Sequence, residues 1–349
     1  MRLFSASRVF MVITAVLLSG SLGAEQNVEP RTPFSWSAGP DLPIALQEVY
    51  PAVFNKRIFV GGGFTPSDLP SFSDLGPTTD VFLLHPAHAR WTKAPALPAA
   101  RHHLGMVANQ HFLYAIGGFT GAKDDAWQIQ RSVFRLDGNM QAWRNAPSLP
   151  IPLAESVYAS VGKNIHVIGG KTPSRDSGKN IDTDAHYVLV NNAYWRKVKP
   201  ASVARNSAAS AVIGHKIYLI GGRTSGKEGV NLSHGEVYNT KTDSWSPIAP
   251  LPVASAGLSA SVLDGKIIVS GGEVFGPNGD WQAGKALDDV WAYDPQTDLW
   301  QALPSLPQPR HGHGSVSFNE QLHIIGGAAK VGPQETLSST ITLSIQASE

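Results

Sequence analysis

The sequence predicts an all-β chain, a six-bladed β-propeller closed by its N-terminal strand, and three observations carry that prediction. Six tryptophans, Trp36, Trp91, Trp143, Trp195, Trp245 and Trp300, recur at steps of 55, 52, 52, 50 and 55 residues. Each is followed 26 residues later by a glycine pair: Gly62-Gly63, Gly117-Gly118, Gly169-Gly170, Gly221-Gly222, Gly271-Gly272 and Gly326-Gly327. The repeat is out of phase with the chain ends, since Trp36 precedes the first pair and no tryptophan follows the last. A fixed period of about 50 residues is the mark of a repeat architecture. The phase offset means that the strand bearing Trp36 completes the sixth unit, which removes two open sheet edges.

Each repeat reads the same way. After the tryptophan comes a proline-rich link, as in Trp91-Thr-Lys-Ala-Pro-Ala-Leu-Pro98. Proline donates no ladder hydrogen bond, so the links lie between strands. A first strand follows, such as Leu258 to Leu263, then a tight turn seven residues before the glycine pair. Those turns stand at Asn55, Gln110, Gly162, Gly214, Asp264 and Asn319; Asp264-Gly265 is the strongest hairpin signal. Short apolar runs such as Ile217-Tyr-Leu-Ile220 enter the glycine pairs and read as strands buried on both faces. A third strand (Asp289 to Tyr293) and a turn (Asp294 to Asp298) lead to the fourth strand, which carries the next tryptophan. Four short strands per repeat without helical periodicity make one propeller blade.

All the length variation falls between the glycine pair and the third strand. Those loops share a face with the link into the first strand, and per-repeat insertions mark a binding face. They carry aromatics, among them Trp127 and Trp281, which lie outside the six-tryptophan register. Two readings stand: a platform for a sugar ring, or loops folded onto their own aromatics.

The chain has 349 residues, 42% hydrophobic and 16% charged, with a formal net charge of +1. That balance gives no reason to expect a nucleic-acid partner. Arg2 and Arg8, the apolar run Val9 to Leu18 and the small residues Ser19 to Ala24 predict a cleaved secretory signal over residues 1–24. Residues 25–349 form the propeller domain. No membrane attachment is expected after cleavage, and the expected location is the periplasm or the secreted fraction. With no cysteine, the fold must be held by its core.

The strand, Gly-Gly, aromatic and Trp pattern over residues 31–346 resembles the kelch repeat, which implies six kelch blades. Sixteen residues before each glycine pair stand Leu46, Arg101, Leu153, Arg205, Ser255 and Arg310. Two residues further on are Glu48, His103, Glu155, Ser207, Gly257 and Gly312. In kelch propellers these resemble the residues that ring the channel mouth. Three guanidiniums there would suit a carboxylate or phosphate, or would be neutralised internally by Glu48 and Glu155. Lys171, Arg223 and Glu273, just after their glycine pairs, point to the same face. His311 and His313 flank Gly312 beside Arg310; without a third ligand at recognisable spacing they predict no metal centre. No cofactor motif is present.

Exported bacterial kelch propellers include N-acetylneuraminate epimerases, to which this chain is similar in size, signal and blade number. That resemblance implies an acid, a base and a carboxylate clamp. It assigns the acid and base to Glu273, Glu48 or Glu155 and the clamp to Arg101, Arg205 and Arg310; His103, Arg223, His311 and His313 at the mouth, with Trp127 and Trp281 on the loops, complete the ligand-binding set expected from position. The ligand expected is a small carbohydrate or sugar acid; the alternative is a non-catalytic module that binds a protein or glycan on the loop-rich face. The family pattern places an arginine six residues after the glutamate, where this chain has Gly279. A copper radical site of the galactose oxidase kind is excluded, because it needs a cysteine.

Overall fold

The computed structural model describes residues 34–85, 89–225 and 229–345. The expected signal, residues 1–24, lies outside the described residues. Among the described residues there are six four-stranded antiparallel sheets. Their innermost strands are Ala52–Phe54, Gly105–Ala108, Val157–Val161, Ala209–Ile213, Ser259–Leu263 and Gly314–Phe318. These define blades 1 to 6. The fourth strand of blade 6 is Phe34–Ala38, which pairs antiparallel with Thr340–Ile345 and sets Trp36 opposite Leu343. The ring is therefore closed by the N-terminal strand, as the phase offset predicts. Among the described residues no helix is long and apolar enough to cross a membrane.

Apolar side chains pack where neighbouring blades meet. Phe54 and Phe59 of blade 1 meet Leu113 and Phe134 of blade 2, and Ile268 of blade 5 meets Leu322 and Ile324 of blade 6. Each blade thus buries both faces, which explains why the second strands are continuous apolar runs rather than alternating ones.

The constant interval of 26 residues measures the distance between two clasps. The outer clasp is the tryptophan. Each register indole Nε1–H donates to a backbone carbonyl four residues after the preceding register tryptophan, at 2.7–3.0 Å. Trp91 reaches Pro40 O in this way, and Trp36 reaches Pro304 O across the closure. The inner clasp is the glycine pair. The second glycine N–H donates to a carbonyl of the next blade at 2.8–2.9 Å: Gly63 to Arg101, Gly118 to Leu153, Gly170 to Arg205, Gly222 to Ser255, Gly272 to Arg310 and Gly327 to Leu46. A Cβ on the first glycine would come within 3.0 Å or less of that same carbonyl. Both glycines have positive φ, so no other residue meets the space and the backbone requirement together.

After each pair the chain turns over the face and forms a further bridge with the segment that leads into the innermost strand of its own blade: Gln47 with Phe64, His102 with Phe119, Ala154 with Lys171, Asn206 with Arg223, Ala256 with Glu273 and His311 with Ala328. The variable loops and the blade lead-ins therefore share one face, as expected from the sequence.

Candidate functional site at the propeller axis

The residue after each of those lead-in bridges turns left-handed. Glu48, His103, Glu155, Ser207, Gly257 and Gly312 all have φ between +51° and +63°. Their peptide groups form a belt around the axis. Glu48 N–H donates to Gly312 O at 2.6 Å, Gly312 to Gly257 at 2.8 Å, Gly257 to Ser207 at 2.9 Å, Ser207 to Glu155 at 3.1 Å and Glu155 to His103 at 3.4 Å. Beneath the belt a cavity of about 100 Å³ runs between the innermost strands, with Tyr50, Tyr158, Ser259 and His313 in its wall.

The belt gathers charge. Glu48 Oε2 lies 3.1 Å from His103 Nε2, and Glu155 Oε1 lies 3.9 Å from the same nitrogen. Lys171 Nζ is 4.0 Å from Glu155 Oε2. On the other side His311 Nδ1 stands between Glu48, at 3.6 Å, and Glu273, at 3.4 Å. Arg223 donates to Glu273 Oε1 at 2.7 Å and lies over the Phe275 ring at 4.2 Å from its centroid. All six blades thus contribute to a cluster of three carboxylates, two histidines and two cations. No arginine stands at position 279; Glu273 is instead paired with Arg223 of the adjacent blade.

The electrostatics follow from burial and these neighbours. Burial alone would raise the Glu48 carboxyl, but His103, His311 and Arg223 outweigh it and hold the group down to about 2. Burial would lower His103; Glu48 and Glu155 reverse that and hold it above its ordinary value. Arg223 is likewise raised, because Glu273, Glu155 and Glu48 outweigh its desolvation. Lys171 and Arg223 are the most accessible of the group, at 24% and 19% of their side-chain surface, with Glu48 at 17%. Glu155 and Glu273 lie deeper. Solute arriving at the axis therefore meets Lys171, Arg223 and Glu48 first.

The three arginines expected around the mouth are elsewhere. Arg205 and Arg310 are fully buried and Arg101 nearly so. Arg205 Nη1 donates to Gly221 O and His234 O, and Nη2 is paired with the buried Glu236. Arg310 donates to Gly326 O at 3.1 Å and Ser339 Oγ at 3.3 Å. Arg101 donates to Ala100 O and Ser132 Oγ. Each guanidinium staples its own blade's lead-in to the start of the third strand. The expectation failed for a physical reason. Residues two apart share a side only in extended backbone, and the left-handed belt residue breaks that parity. The belt, not the arginine register, faces the axis.

The remaining expectations divide. His311 joins the cluster, whereas His313 is buried between Ser259 and Ser270, 2.9 and 3.1 Å from their hydroxyls, in the wall between blades 5 and 6. Trp127 is exposed, yet it packs edge-on against Phe72, His102 and Phe119, so its loop folds onto neighbouring aromatics. Trp281 packs against Gly332 of the neighbouring blade's loop. Neither is a free sugar platform. Sequence reasoning also missed the buried partner Glu236, because nothing in the repeat register marks it.

Comparison with known proteins agrees with this architecture. The KLHDC2/KLHL20/DRC7 Kelch-repeats domain model matches residues 154–349, more than half of the chain. Kelch-like protein 35 of Mus musculus is 26% identical over 267 residues, covering 76% of this chain and 41% of that protein. Kelch-like protein 15 of Homo sapiens is 25% identical over 260 residues, covering 71% of this chain and 42% of that protein. The chain spans less than half the length of these curated relatives. Among solved structures, YjhT superposes with a TM-score of 0.73 over 90% of this chain and 99% of that chain at 17% identity, a likeness of fold. Tryptophan clasp, glycine clasp, closed six-blade ring and family match converge on one statement: the chain belongs to the kelch-repeat family.

Proposed function

We propose that the protein is an exported sugar-acid mutarotase, acting at the axial site on a small carboxylate-bearing carbohydrate of the N-acetylneuraminate type. The observation that supports this reading is the convergence of charge at the axis: Lys171 and Arg223 stand against Glu155 and Glu273, beside the Glu48–His103 pair. The cations suit a substrate carboxylate. Anomeric exchange needs a base at the anomeric hydroxyl and an acid at the ring oxygen. Glu48, held ionised, accepts the hydroxyl proton while the His103 imidazolium protonates the ring oxygen as the ring C–O bond breaks. The open-chain carbonyl rotates and recloses on its other face. As the ring recloses, the carbonyl oxygen takes the proton back from Glu48 and the ring hydroxyl gives its proton to His103, so the site resets without net proton change.

A structural role alone does not account for the belt. Gly257 and Gly312 adopt the same backbone with no side chain. Glutamate, histidine and serine there cost about 1 kcal/mol each in left-handed strain, and such strain motivates a functional reading.

The test is proton NMR of the purified protein with a small sugar panel that includes N-acetylneuraminate, recording saturation transfer and anomeric exchange. Exchange accelerated by the wild type and reduced about 100-fold or more by Glu48→Gln supports the proposal. Saturation transfer without exchange replaces it with a sugar-binding role. Silence in both overturns it in favour of the second reading, a protein-recognition module. That reading is favoured by the exposed Leu69, Trp127, Ile181 and Val230, which lie on the loops of four successive blades, and by the kelch-like relatives.

A further inference from the structure

Two adjacent histidines, His102 and His103, meet nitrogen to nitrogen, with their Nδ1 atoms 2.7 Å apart. Only one arrangement of protons fits everything around them. His102 Nε2 lies 2.9 Å from Ala126 O. A carbonyl accepts and never donates, so that nitrogen carries hydrogen. Among the described residues no carboxylate forms an ion pair with His102. Its ring is sandwiched between Phe64, stacked at 3.8 Å between centroids, and Phe119, at 5.2 Å, with Trp127 across the edge. Burial and the adjacent His103 hold it well below the ordinary imidazole value, so it is neutral and its Nδ1 is bare. A bare nitrogen at 2.7 Å must be met by an N–H, which places hydrogen on His103 Nδ1. His103 Nε2 in turn faces Glu48 Oε2 at 3.1 Å and Glu155 Oε1 at 3.9 Å. Glu48 is ringed by His311 and Arg223 as well and stays ionised. The hydrogen between them therefore belongs to His103.

We propose that His102 is a positioning residue: anchored on Ala126 O and gripped by Phe64 and Phe119, it offers its bare Nδ1 to His103 and so holds His103 doubly protonated, with Nε2–H aimed at the Glu48–Glu155 side of the axis. The run from Ala126 O through both imidazoles to Glu48 is one hydrogen-bonded chain: His102 donates to the carbonyl, and His103 donates both to His102 and to Glu48. The groups facing His103 are His102 from its own lead-in, Glu48 from blade 1, Glu155 from blade 3 and, at longer range, Arg223 from blade 4. The two carboxylates are nearest, and they favour the charged ring. The sequence shows the pair only as His102-His103 beside Arg101; the phenyl sandwich appears only once blades 1 and 2 are side by side. The sugar-acid reading uses this cation as its acid, but the proton arrangement rests on the ligand-free geometry alone.

The test is ¹⁵N NMR of the histidine-labelled full chain without ligand between pH 5 and 9, with the two rings identified from the His102→Asn and His103→Gln spectra. The expected result at pH 7 is His102 neutral with hydrogen on Nε2, and His103 with hydrogen on both nitrogens. His102→Phe keeps the stack and removes the acceptor. It should lower the His103 midpoint by about one unit, a tenfold loss of proton affinity. His102→Asn, whose carbonyl oxygen replaces Nδ1 as acceptor, should restore most of it. A charged His102, a neutral His103 at pH 7, or an unmoved midpoint in a folded His102→Phe overturns the proposal. Should His102→Phe fail to fold, the wild-type protonation states and the His102→Asn midpoint decide. None of these outcomes depends on a sugar, so a failure here is distinct from a failure of the mutarotation reading.

Discussion

Two rings of polar residues lie only two positions apart in every lead-in, and they do opposite things. Arg101, Arg205 and Arg310 turn into their own blades, where their Nη atoms bond that blade's carbonyls, hydroxyls and, for Arg205, the Glu236 carboxylate. Glu48, His103 and Glu155 turn to the axis, where both carboxylates approach His103 from other blades, while Lys171 and His102 come from the blades of their own partners. The first ring is part of the fold, since removing an arginine strands acceptors inside one sheet. The second is dispensable to the fold, since blades 5 and 6 build the same belt with glycine. The difference teaches that burial and charge alone do not identify a site; what matters is whether charged groups of several structural units converge.

The sharpest break of this comparison is at Arg205. Arg205→Ala leaves Glu236 in a fully buried position with its partner gone. Removing one member of a buried pair costs about 4 kcal/mol, so the urea midpoint should fall steeply. A loss of under about 1 kcal/mol would return Arg205 to the candidate ligand residues.

Next in size is the inner clasp. Gly117→Ala puts a methyl against Leu153 O at φ +59° and should cost about 3 kcal/mol. Gly257→Ala, at the belt, has the same handedness but no atom nearer than 3.5 Å to the new Cβ. It should cost only about 1 kcal/mol. Equal losses in thermal unfolding would show that the clasp depends on φ alone and not on the close approach of the next blade.

How much of this was legible follows from which residues carry a register. The 26-residue interval is visible because both ends are rigid hydrogen-bonded clasps; any insertion between Trp91 and Gly117 would break one of them. The closure was legible from Trp36 for the same reason. The belt was also in register, and its six residues could be written down. Their orientation could not, because left-handed backbone at Glu48 or Glu155 is invisible where no glycine announces it. Glu236 and the Phe64–His102–Phe119 stack were illegible because they depend on pairings between strands with no repeat signature.

A smaller effect separates two histidine pairs. His166 Nδ1 and His186 Nε2 lie 2.9 Å apart in blade 3 against Tyr238 and Trp245, and among the described residues neither forms an ion pair with a carboxylate. Burial lowers His166 to about 4 and His186 to about 3. Below pH 6.5 the unfolded chain therefore binds more protons, and stability falls as pH drops from about 6.5 toward 4. By pH 5 the loss should be about 2 kcal/mol for each ring. His103 has the opposite sign: raised in the folded state, its contribution is present below pH 6.5 and is lost as pH rises through its folded value. His186→Phe should flatten the acid limb of a urea-midpoint profile and leave the alkaline limb unchanged; flattening of both would mean the pairs are not independent.

The smallest expected change in stability carries the largest functional contrast. Glu155→Gly gives blade 3 the belt residue that blades 5 and 6 already have. It relieves left-handed strain, worth about 1 kcal/mol, and it removes one of the two carboxylates facing His103 together with the partner of Lys171. Relief of strain offsets the broken ion pairs, so the unfolding midpoint should stay put or rise slightly. Anomeric exchange, or whatever binding the axial site supports, should fall about tenfold or more, because His103 and Lys171 lose a carboxylate that balances their charge. A marked loss of stability in Glu155→Gly would place Glu155 with the arginines as part of the scaffold. A stable protein with unchanged ligand response would move the working site away from blade 3, toward the Glu48, His311, Glu273 and Arg223 side of the axis.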